Sequence, residues 1–399
     1  MLTSLALVLL AATPLPTPGP VSVLRSKLVE APAAQVPLRV PDGLRIAPFA
    51  EGLEQPREMA QLDDGSLLVT ESKAGRVRQL LDADRDGRAE GLRVWADGLS
   101  RPYGLLRRDG WVYVADNHSV VRFPIAADGS AGERQVLVPS LELAGDRLYP
   151  RGHWTRDVLL SRDGRRMFVS VGSATNNDGD EPPGRAAILV YDLIPGATAD
   201  APPVVGPPRV FASGLRNPVS LAWRPDSDEL WATVNERDGL GDDLVPDFVT
   251  SVREGGFYGW PFFYIGDHPD PRWAATHPTP STRVIVPDVL LPAHTAALGL
   301  TFATGARLPE PFRDGLFVGL HGSWNRKPLT GYAVVFIPFA GGRPSGPPRD
   351  VVTGFMKDAT SGAVWGRPVA PFVAADGALL ISDDLAGRIW RMEEKPVHR

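Results

Sequence analysis

The sequence predicts an all-β fold, a six-bladed β-propeller, on three observations. A unit of apolar strand, tight turn and second apolar strand recurs after about residue 40, and its copies start at Gln55, Arg101, His153, Arg216, Ala297 and Gly366. Asp-Gly turns, which suit tight hairpins, recur at 64–65, 109–110, 163–164, 314–315 and 376–377. No segment has the pattern of an amphipathic helix.

A closed ring of blades needs one blade that combines strands from both ends of the chain, because closure removes exposed sheet edges. The segment GLRIAPFAEGL near Gly43 is the expected contributor from the N-terminal side. Residues 174–187 and 238–295 are expected to be irregular insertions, where binding residues concentrate. A β-sandwich or barrel with accidental internal resemblance is the alternative fold.

The domain boundaries follow from composition. Residues 1–20 contain a short apolar run and predict a signal peptide, although basic residues before the run are missing. The run is too short to span a bilayer, so no transmembrane segment is expected. Residues 21–40 are rich in proline and predict a linker, and 41–396 predict the propeller domain. We therefore expect a periplasmic or secreted protein.

Composition excludes several classes of function. A net charge of −5 indicates no excess of basic residues of the kind that binds nucleic acid. The absence of cysteine excludes disulfides, thiolate metal sites and a cysteine nucleophile. No glycine-rich strand-turn-helix suggests a nicotinamide or ATP fold, and no G-x-S-x-G nucleophile elbow is present.

His153 and the pair Arg216-Asn217 are the candidate catalytic residues. Each opens a repeat unit, so both are expected at the same rim of the ring, facing the axial cavity. A histidine there can accept a proton, and an arginine and an amide can stabilise a developing oxyanion. A single histidine is more often structural, but the matching position of Arg216 and Asn217 favours function.

Several arginines share a position in the repeat. Arg101, Arg216 and Arg367 are each followed one or two residues later by a proline near the start of a unit, and Arg326 follows the fifth unit. Arginines that converge on one cavity predict an anionic ligand with carboxylates or phosphates. The alternative is that Arg-Pro is a repeated structural turn.

Two acidic segments are candidates for calcium. The segment 235–243 is a carboxylate-rich loop after the fourth unit, and a solvated loop is its alternative. Asp82, Asp84 and Asp86 with Gly87 have the start of a calcium-loop spacing, but Arg93 stands where the last ligand is expected. The second segment predicts a weak surface site and not a catalytic metal.

The chain resembles the pyrroloquinoline-quinone-dependent sugar dehydrogenase family, the soluble glucose/aldose and L-sorbosone dehydrogenases. It is more similar to the L-sorbosone branch than to the glucose enzymes. The resemblance runs from about residue 45 to 394, and GLRNP with the downstream GGFYGWP is its most specific part. The matching segments are GHWTRDVLLSRDGRRMFVSVGS, GLRNPVSLAWRPDSDELWATVNERDGLGDDLVPDF, GGFYGWPFFY, HTAALGL, HGSWNR and GRPVAP.

The resemblance implies a quinone stacked over the axial cavity and oxidation of a sugar, sugar aldehyde or polyol. It implies that His153 is the general base and that Arg216 and Asn217 contact the reactive carbonyl region of the quinone. It implies Ca²⁺ at Arg237 and Asp238, where it would polarise the cofactor. The cofactor-binding residues expected in addition are Arg101, His321, Asn325, Arg326 and Arg367.

The electrons must leave to a separate acceptor, because haem attachment requires cysteine. Three departures from the glucose enzymes leave the substrate open: Gly152 and Ser173 replace acidic residues around the base, and the Arg101-Pro102-Tyr103 region replaces a substrate-contacting glutamine. Two other functions remain alternatives. One is a calcium-dependent lactonase-type hydrolase, and the other is a propeller that binds a ligand without catalysis.

Overall fold

The all-β prediction is confirmed. The computed structural model of the chain describes residues 17–30, 36–141, 152–196 and 201–395. Within these ranges every regular element is a β-strand, and none is a helix. The described residues accordingly contain no helix with the length and hydrophobicity to cross a membrane.

The first three blades follow one another along the chain, each with four antiparallel main strands. Three strands, β1 to β3, precede them along the chain. Blade I contains β4 to β7, and blade II contains β8 to β11. Blade III contains β12, β13, β14 and β16, with the short β15 beside β14. Their bounds are β1 Leu28–Glu30, β2 Arg39–Pro41, β3 Leu44–Ala50, β4 Pro56–Gln61, β5 Leu67–Glu71, β6 Arg76–Leu81, β7 Gly91–Ala96, β8 Gly104–Arg108, β9 Trp111–Ala115, β10 Val120–Pro124, β11 Gln135–Val138, β12 Val158–Leu160, β13 Arg166–Val171, β14 Ala187–Ile194, β15 Val204–Val205 and β16 Arg209–Ser213.

The last three blades have the same plan. Blade IV contains β17, β18, β19 and β23, blade V contains β24, β25, β26 and β28, and blade VI contains β31 to β33. The remaining strands are short pairs or extensions. Their bounds are β17 Asn217–Trp223, β18 Leu230–Asn235, β19 Pro246–Val252, β20 Gly256–Phe257, β21 Phe263–Tyr264, β22 His268–Pro269, β23 Val289–Ala293, β24 Ala297–Phe302, β25 Gly315–Leu320, β26 Ala333–Ala340, β27 Arg343–Pro344, β28 Arg349–Val352, β29 Met356–Asp358, β30 Ala363–Val364, β31 Pro368–Val373, β32 Leu379–Asp383 and β33 Arg388–Glu394.

The ring closes in blade VI, where β3 is the outer strand. β3 pairs antiparallel with β33, and Leu44 lies opposite Glu394 while Ile46 lies opposite Met392. The predicted contribution of the segment near Gly43 is therefore confirmed. The pairing gives the backbone groups on the outer edge of β33 hydrogen-bond partners in a strand from the other end of the chain, as a closed ring requires.

The core consists of apolar layers between neighbouring blades. Every residue of β5, β19 and β25 is buried, because the second and third strands of a blade are covered on both faces. Between blades IV and V, Trp231 packs edge-on against Phe302 and Phe339, with ring centroids 6.3 and 5.2 Å apart. Such layers hold the blades in fixed relation to one another.

The two expected insertions have different outcomes. Residues between β13 and β14 form no strand, as expected. The expectation that 238–295 is irregular is wrong, because it contains β19 and β23, the two outer strands of blade IV. Frequent glycine, proline and aspartate hid these strands in the sequence, and the true insertion is 253–288.

The N-terminal segment is described only in part. Residues 1–16 of the expected signal peptide and 31–35 of the expected linker lie outside the described residues, as does residue 396. In the remainder of 21–40, β1 pairs with β2, and the N–H of Leu24 donates to the Pro348 carbonyl at 2.8 Å. Part of the proline-rich segment therefore packs along blade V.

One face of the ring collects the loops that matter for function. The loops entering the innermost strands and the loops joining the second and third strands meet there. For example, the Ser72 hydroxyl, after β5, donates to the Pro102 carbonyl before β8 at 2.6 Å, and the Asn117 N–H, after β9, donates to the Ser100 carbonyl at 2.8 Å. We call it the axial face.

We expect the closing strand to carry a large share of stability through its buried face. Ile46 is 3% exposed and packs with Trp390 and Met392, so Ile46→Ala should lower the free energy of unfolding by roughly 2–5 kcal/mol. Arg45 on the opposite face is the matched control, since its exposed ion pair with Glu393 should contribute at most about 1 kcal/mol. Denaturant titrations measure both, and equal losses would contradict the closure role of β3.

Candidate active site

His153 lies in the loop that enters β12, on the axial face. Its Nδ1 is 3.0 Å from the Ser173 carbonyl oxygen and 3.1 Å from the Ser173 hydroxyl. That hydroxyl donates to the Thr175 carbonyl at 2.6 Å, so it acts as an acceptor toward Nδ1. Because a carbonyl oxygen only accepts, we assign the ring proton to Nδ1, which leaves the Nε2 lone pair available.

The protonation state of His153 is set by its surroundings. Burial, reinforced by the positive charges of Arg216 and Arg185, lowers the pKa of His153 to about 3. The Ser173 carbonyl and Asp238 oppose this shift less strongly. The imidazole is therefore neutral, and able to accept a proton, at every pH above this value.

Arg216 is buried, with 5% exposure, at the entry to β17. Its Nε and Nη2 donate to the main-chain and side-chain oxygens of Asn176 at 3.1 and 2.9 Å, and Nη1 donates to the Glu236 carbonyl at 2.7 Å. The Arg216 carbonyl accepts the N–H of Ser173 at 2.7 Å. The backbone of Arg216 is thus bonded directly to the residue that orients His153.

Gly172 allows His153 and Asn217 to approach each other. A Cβ at this position would lie 2.2 Å from Asn217 Oδ1 and 2.5 Å from the Cβ of His153. Asn217 Nδ2 is 3.4 Å from Asn235 Oδ1, while its buried Oδ1 has no hydrogen-bond partner among the described residues. The structure therefore brings the predicted residues His153, Arg216 and Asn217 together.

Asp238 joins the loops of blades IV and V. Its Oδ1 accepts from Asn325 Nδ2 at 2.6 Å and lies 3.4 Å from His294 Nδ1, and its Oδ2 lies 3.5 Å from Arg216 Nη2. Burial acts to raise the pKa of Asp238, but His294, Arg216 and Asn325 outweigh it and lower the pKa. A charged carboxylate thus connects the Arg216 side of the site to Asn325.

His321 and Asp384 form a second dyad at the axial face, across blades V and VI. His321 Nε2 is 2.9 Å from Asp384 Oδ1, and Asp384 Oδ2 is 2.8 Å from Arg57 Nη2. Burial lowers the pKa of His321, although Asp384 opposes the shift. The buried Nε of Arg57 has no hydrogen-bond partner in the described parts of the chain.

The predicted arginines differ in how their charge is compensated. Arg216 and Arg326 face Asp238 and Asp243 at 3.5 and 3.2 Å. Arg367 donates to the carbonyls of His321 and Gly322 at 3.1 and 2.7 Å. The exposed Arg101 lies over the Trp154 ring at 4.1 Å. Across the described ranges, neither Arg101 nor Arg367 forms an ion pair, so uncompensated positive charge faces the site from blades II and VI.

Two carboxyl groups, Glu58 of β4 and Asp157 before β12, lie on the innermost layer of the ring. The Ser220 hydroxyl donates to Glu58 Oε1 at 2.6 Å, and the Leu221 N–H donates to Asp157 Oδ2 at 2.7 Å. Burial raises the pKa of Glu58 to about 7, and burial together with Glu58 raises that of Asp157 well above its usual value. This pair can hold a proton near neutral pH.

The two predicted calcium positions differ in the ligand groups that they can offer. The Arg237 guanidinium lies 3.3 Å from Asp270, so Arg237 can offer a cation only its main-chain carbonyl. The Asp238 carboxylate is already shared among the three groups described above. In the turn between β6 and β7, Asp82, Asp84 and Asp86 gather with Glu90, and their ligand atoms lie within 4.8 Å of one another.

Sequence reasoning missed several residues of the axial face. His294 and Asp384 contact the predicted residues Asp238 and His321 directly. Arg57 pairs with Asp384, and Trp154 stands between Arg57 and Arg101. Arg57 follows Pro56 at the start of the first unit, so the position of Arg-Pro pairs in the repeat could have identified it. Asp384 had no such signal, because its partner is 63 residues away.

The chain matches a family model and several known proteins along most of its length. The TrAA12-like family model matches residues 38–248 and 271–395. A protein of Borreliella burgdorferi is 24% identical over 365 residues, which cover 89% of this chain and 90% of that protein. A pyrroloquinoline quinone-dependent pyranose dehydrogenase of Coprinopsis cinerea is 28% identical over 432 residues, which cover 92% of this chain and 56% of the enzyme. The chain therefore spans about half the length of that dehydrogenase.

Solved structures share the fold. The holo form of the Coprinopsis cinerea pyranose dehydrogenase PQQ domain superposes with a TM-score of 0.70 at 23% identity and covers 93% of this chain and 100% of that chain. The calcium structure of the Trichoderma reesei family AA12 enzyme has a TM-score of 0.73 at 21% identity, with the same coverage. These relatives confirm the resemblance to the pyrroloquinoline-quinone-dependent sugar dehydrogenases that the sequence indicates. The chain belongs to the TrAA12-like family.

Proposed function

We propose that the protein oxidises a CH–OH or aldehyde group of a sugar, sugar aldehyde or polyol with pyrroloquinoline quinone as cofactor and His153 as general base. The observation that carries the proposal is the neutral imidazole of His153, oriented by Ser173 beside Arg216 and Asn217. The pyranose dehydrogenase relative supports the cofactor and the substrate class. The same proposal includes a substrate preference similar to that of the L-sorbosone dehydrogenases.

The residues of the axial face fit a quinone that bears carboxylates. Arg101 and Arg367 offer positive charge without an ion-pair partner in the described residues, and guanidinium groups pair with carboxylates. The unsatisfied Oδ1 of Asn217 and Nε of Arg57 are buried polar atoms that a polar ligand can complete. The residues proposed to hold the quinone are Arg101, Arg216, Asn217, His321, Asn325, Arg326 and Arg367.

The bound quinone would supply the two-electron oxidant, and the chain would move the proton. His153 Nε2 is the acceptor for the substrate hydroxyl proton, because Nδ1 is committed to Ser173. The Arg216 guanidinium favours negative charge developing on the substrate oxygen. Its neighbours Asn176 and Asp238 fix it in place, so little reorganisation is needed during the reaction.

Ser173 takes the position where the glucose enzymes carry an acidic partner of the base. A neutral carbonyl orients the imidazole as a carboxylate would, but it stabilises the protonated ring less. Burial, reinforced by Arg216 and Arg185, lowers the pKa of His153, and the Ser173 carbonyl opposes this shift only in part. We infer that His153 releases its proton readily after each turnover and that its basicity is modest.

Ca²⁺ is proposed at the loop of Arg237 and Asp238, where main-chain carbonyls and the cofactor would complete the ligand set. The acidic residues Asp238, Asp242 and Asp243 make this loop attractive to a cation. A separate electron acceptor and a periplasmic or secreted location complete the proposal.

The hydrolase alternative needs several side chains that converge on one metal ion. In the described ranges, the only group of three or more carboxylates or histidines placed to hold a metal lies at Asp82–Glu90, on an outer turn.

Replacing the proposed base should abolish most of the activity. His153→Ala should lower kcat by about 10²- to 10⁴-fold, the usual contribution of general base catalysis, while quinone binding persists. His118→Ala, at an exposed turn between β9 and β10, is the matched control. Dye-coupled oxidation of aldoses and sorbosone by the quinone- and calcium-loaded protein provides the rates. A His153→Ala variant as active as wild type would refute the assignment.

The pH dependence should reflect the lowered pKa of His153. A depressed pKa keeps the imidazole unprotonated until the pH falls toward about 3, so the base remains functional throughout the mildly acidic range. Measurements of kcat/KM between pH 4.5 and 8 should therefore show no loss caused by His153 protonation. An acid limb with a midpoint near 6.5, the ordinary value for histidine, would show that the site does not hold His153 neutral.

Arg101 should contribute to cofactor affinity through its charge. Arg101→Gln is expected to raise the Kd for the quinone by about tenfold at low salt, and the difference should shrink at high salt because screening weakens exposed charge pairs. Arg88→Gln, whose side chain is exposed in the outer turn before β7, is the matched control. Fluorescence quenching by the quinone gives the Kd, and an unchanged value would remove Arg101 from the binding set.

A further inference from the structure

Trp324 is an exposed indole at the rim of the axial face. Its exposure is 76%, and Trp324 and Trp365 are the only tryptophans among the described residues that are exposed. Tryptophan carries a large apolar surface that proteins ordinarily bury. An indole held in solvent at the rim of a candidate active site is available for contact with an external ligand.

The loop that carries Trp324 is fixed on both sides of the indole. Before it, Ser323 is fully buried, and its N–H donates to the Thr330 carbonyl at 2.9 Å. After it, Asn325 donates to Asp238 at 2.6 Å, and Arg326 donates to the Ala293 carbonyl at 3.2 Å. The exposure of Trp324 is thus a property of an anchored loop, which presents the ring in a defined place.

The loop of Trp324 is connected to the proposed catalytic residues through its neighbour Asn325. Asn325 shares the Asp238 carboxylate with Arg216, whose backbone is bonded to the residue that orients His153. Four successive contacts therefore connect the indole loop to the base. A ligand in the central site that extends outward over blade V would meet Trp324.

A second exposed indole lies on the same sector of the rim. Arg367 donates to the carbonyls of His321 and Gly322, so Trp365, two residues before Arg367, is near the start of the loop that carries Trp324. Trp365 is 38% exposed, and the Lys357 ammonium lies 5.0 Å from its ring centroid. The acidic groups beside this loop are already bonded to Asn325, Arg326 and His321, and the two indoles present apolar faces suited to flat, uncharged ligand faces.

We propose that Trp324, with Trp365 beyond it, forms a stacking platform for the second and later pyranose units of an oligosaccharide whose terminal sugar enters the site at His153. The inference rests on the proposed function and extends it to the substrate class, a glycan chain end. The C–H face of a pyranose ring is apolar and matches an indole face, while its hydroxyl groups remain in water. An uncharged sugar also requires no ion pair from the rim.

The test compares Trp324→Ala, Trp324→Phe and, as a control, the Val210→Ala variant on an outer strand of blade III. Cellotriose, maltotriose and xylotriose, with glucose and xylose, are titrated against the protein without quinone by tryptophan fluorescence. The same sugars are then assayed with the quinone- and calcium-loaded protein. Trp324→Ala should weaken binding of at least one trisaccharide and lower its kcat/KM by about tenfold, with Trp324→Phe between it and wild type. The monosaccharides should change less than about twofold.

Each outcome decides the inference. Equal losses for mono- and trisaccharides would overturn it, because Trp324 would then serve the central site. No trisaccharide binding in the wild type would overturn it as well. A variant that keeps trisaccharide kinetics but reacts more slowly with a protein electron carrier would reassign the surface to electron transfer. Trisaccharide binding that depends on Trp324 without any quinone-dependent oxidation would support the platform and reject the proposed dehydrogenase.

Discussion

The antiparallel pairing of β3 with β33 is the constraint on which the rest of the structure depends. It joins strands from near the two ends of the described chain in one blade and thereby closes the ring. Once the ring is closed, the six entry loops converge on the axial face. Residues as distant in sequence as Arg57 and Asp384 can then form a buried ion pair of 2.8 Å.

Buried charge is the second organising feature. Removing charges from water is costly, and such groups persist only where partners satisfy them. Arg216 meets this condition through Asn176, Glu236 and Asp238, which belong to loops of blades III and IV. The same contacts fix the relative position of neighbouring loops, so the charge network that places Arg216 also shapes the site.

The distribution of charge across the axial face divides it into two sides. The loop after β18 carries acidic residues and is suited to a cation, while Arg101 and Arg367 face the site from blades II and VI without an ion-pair partner in the described residues. His153 lies on blade III and stays neutral because burial outweighs its hydrogen bond to Ser173. The proposed base, the proposed cation site and the proposed anion-binding side would thus lie on separate blades.

The sequence by itself determined the blade plan, the closing segment and the position of His153, Arg216 and Asn217, because strand periodicity, turn chemistry and repeat position are local properties. It failed at β19 and β23, because the many turn-forming residues of the segment between them obscured two strands that are themselves largely apolar. Only the tertiary structure decided which partners meet: the Ser173 carbonyl at His153, Asp384 at His321 and Asp238 at Asn325. A backbone carbonyl has no side-chain signature, and the carboxylates lie 63 and 87 residues from their partners, so these contacts exist only after the ring closes.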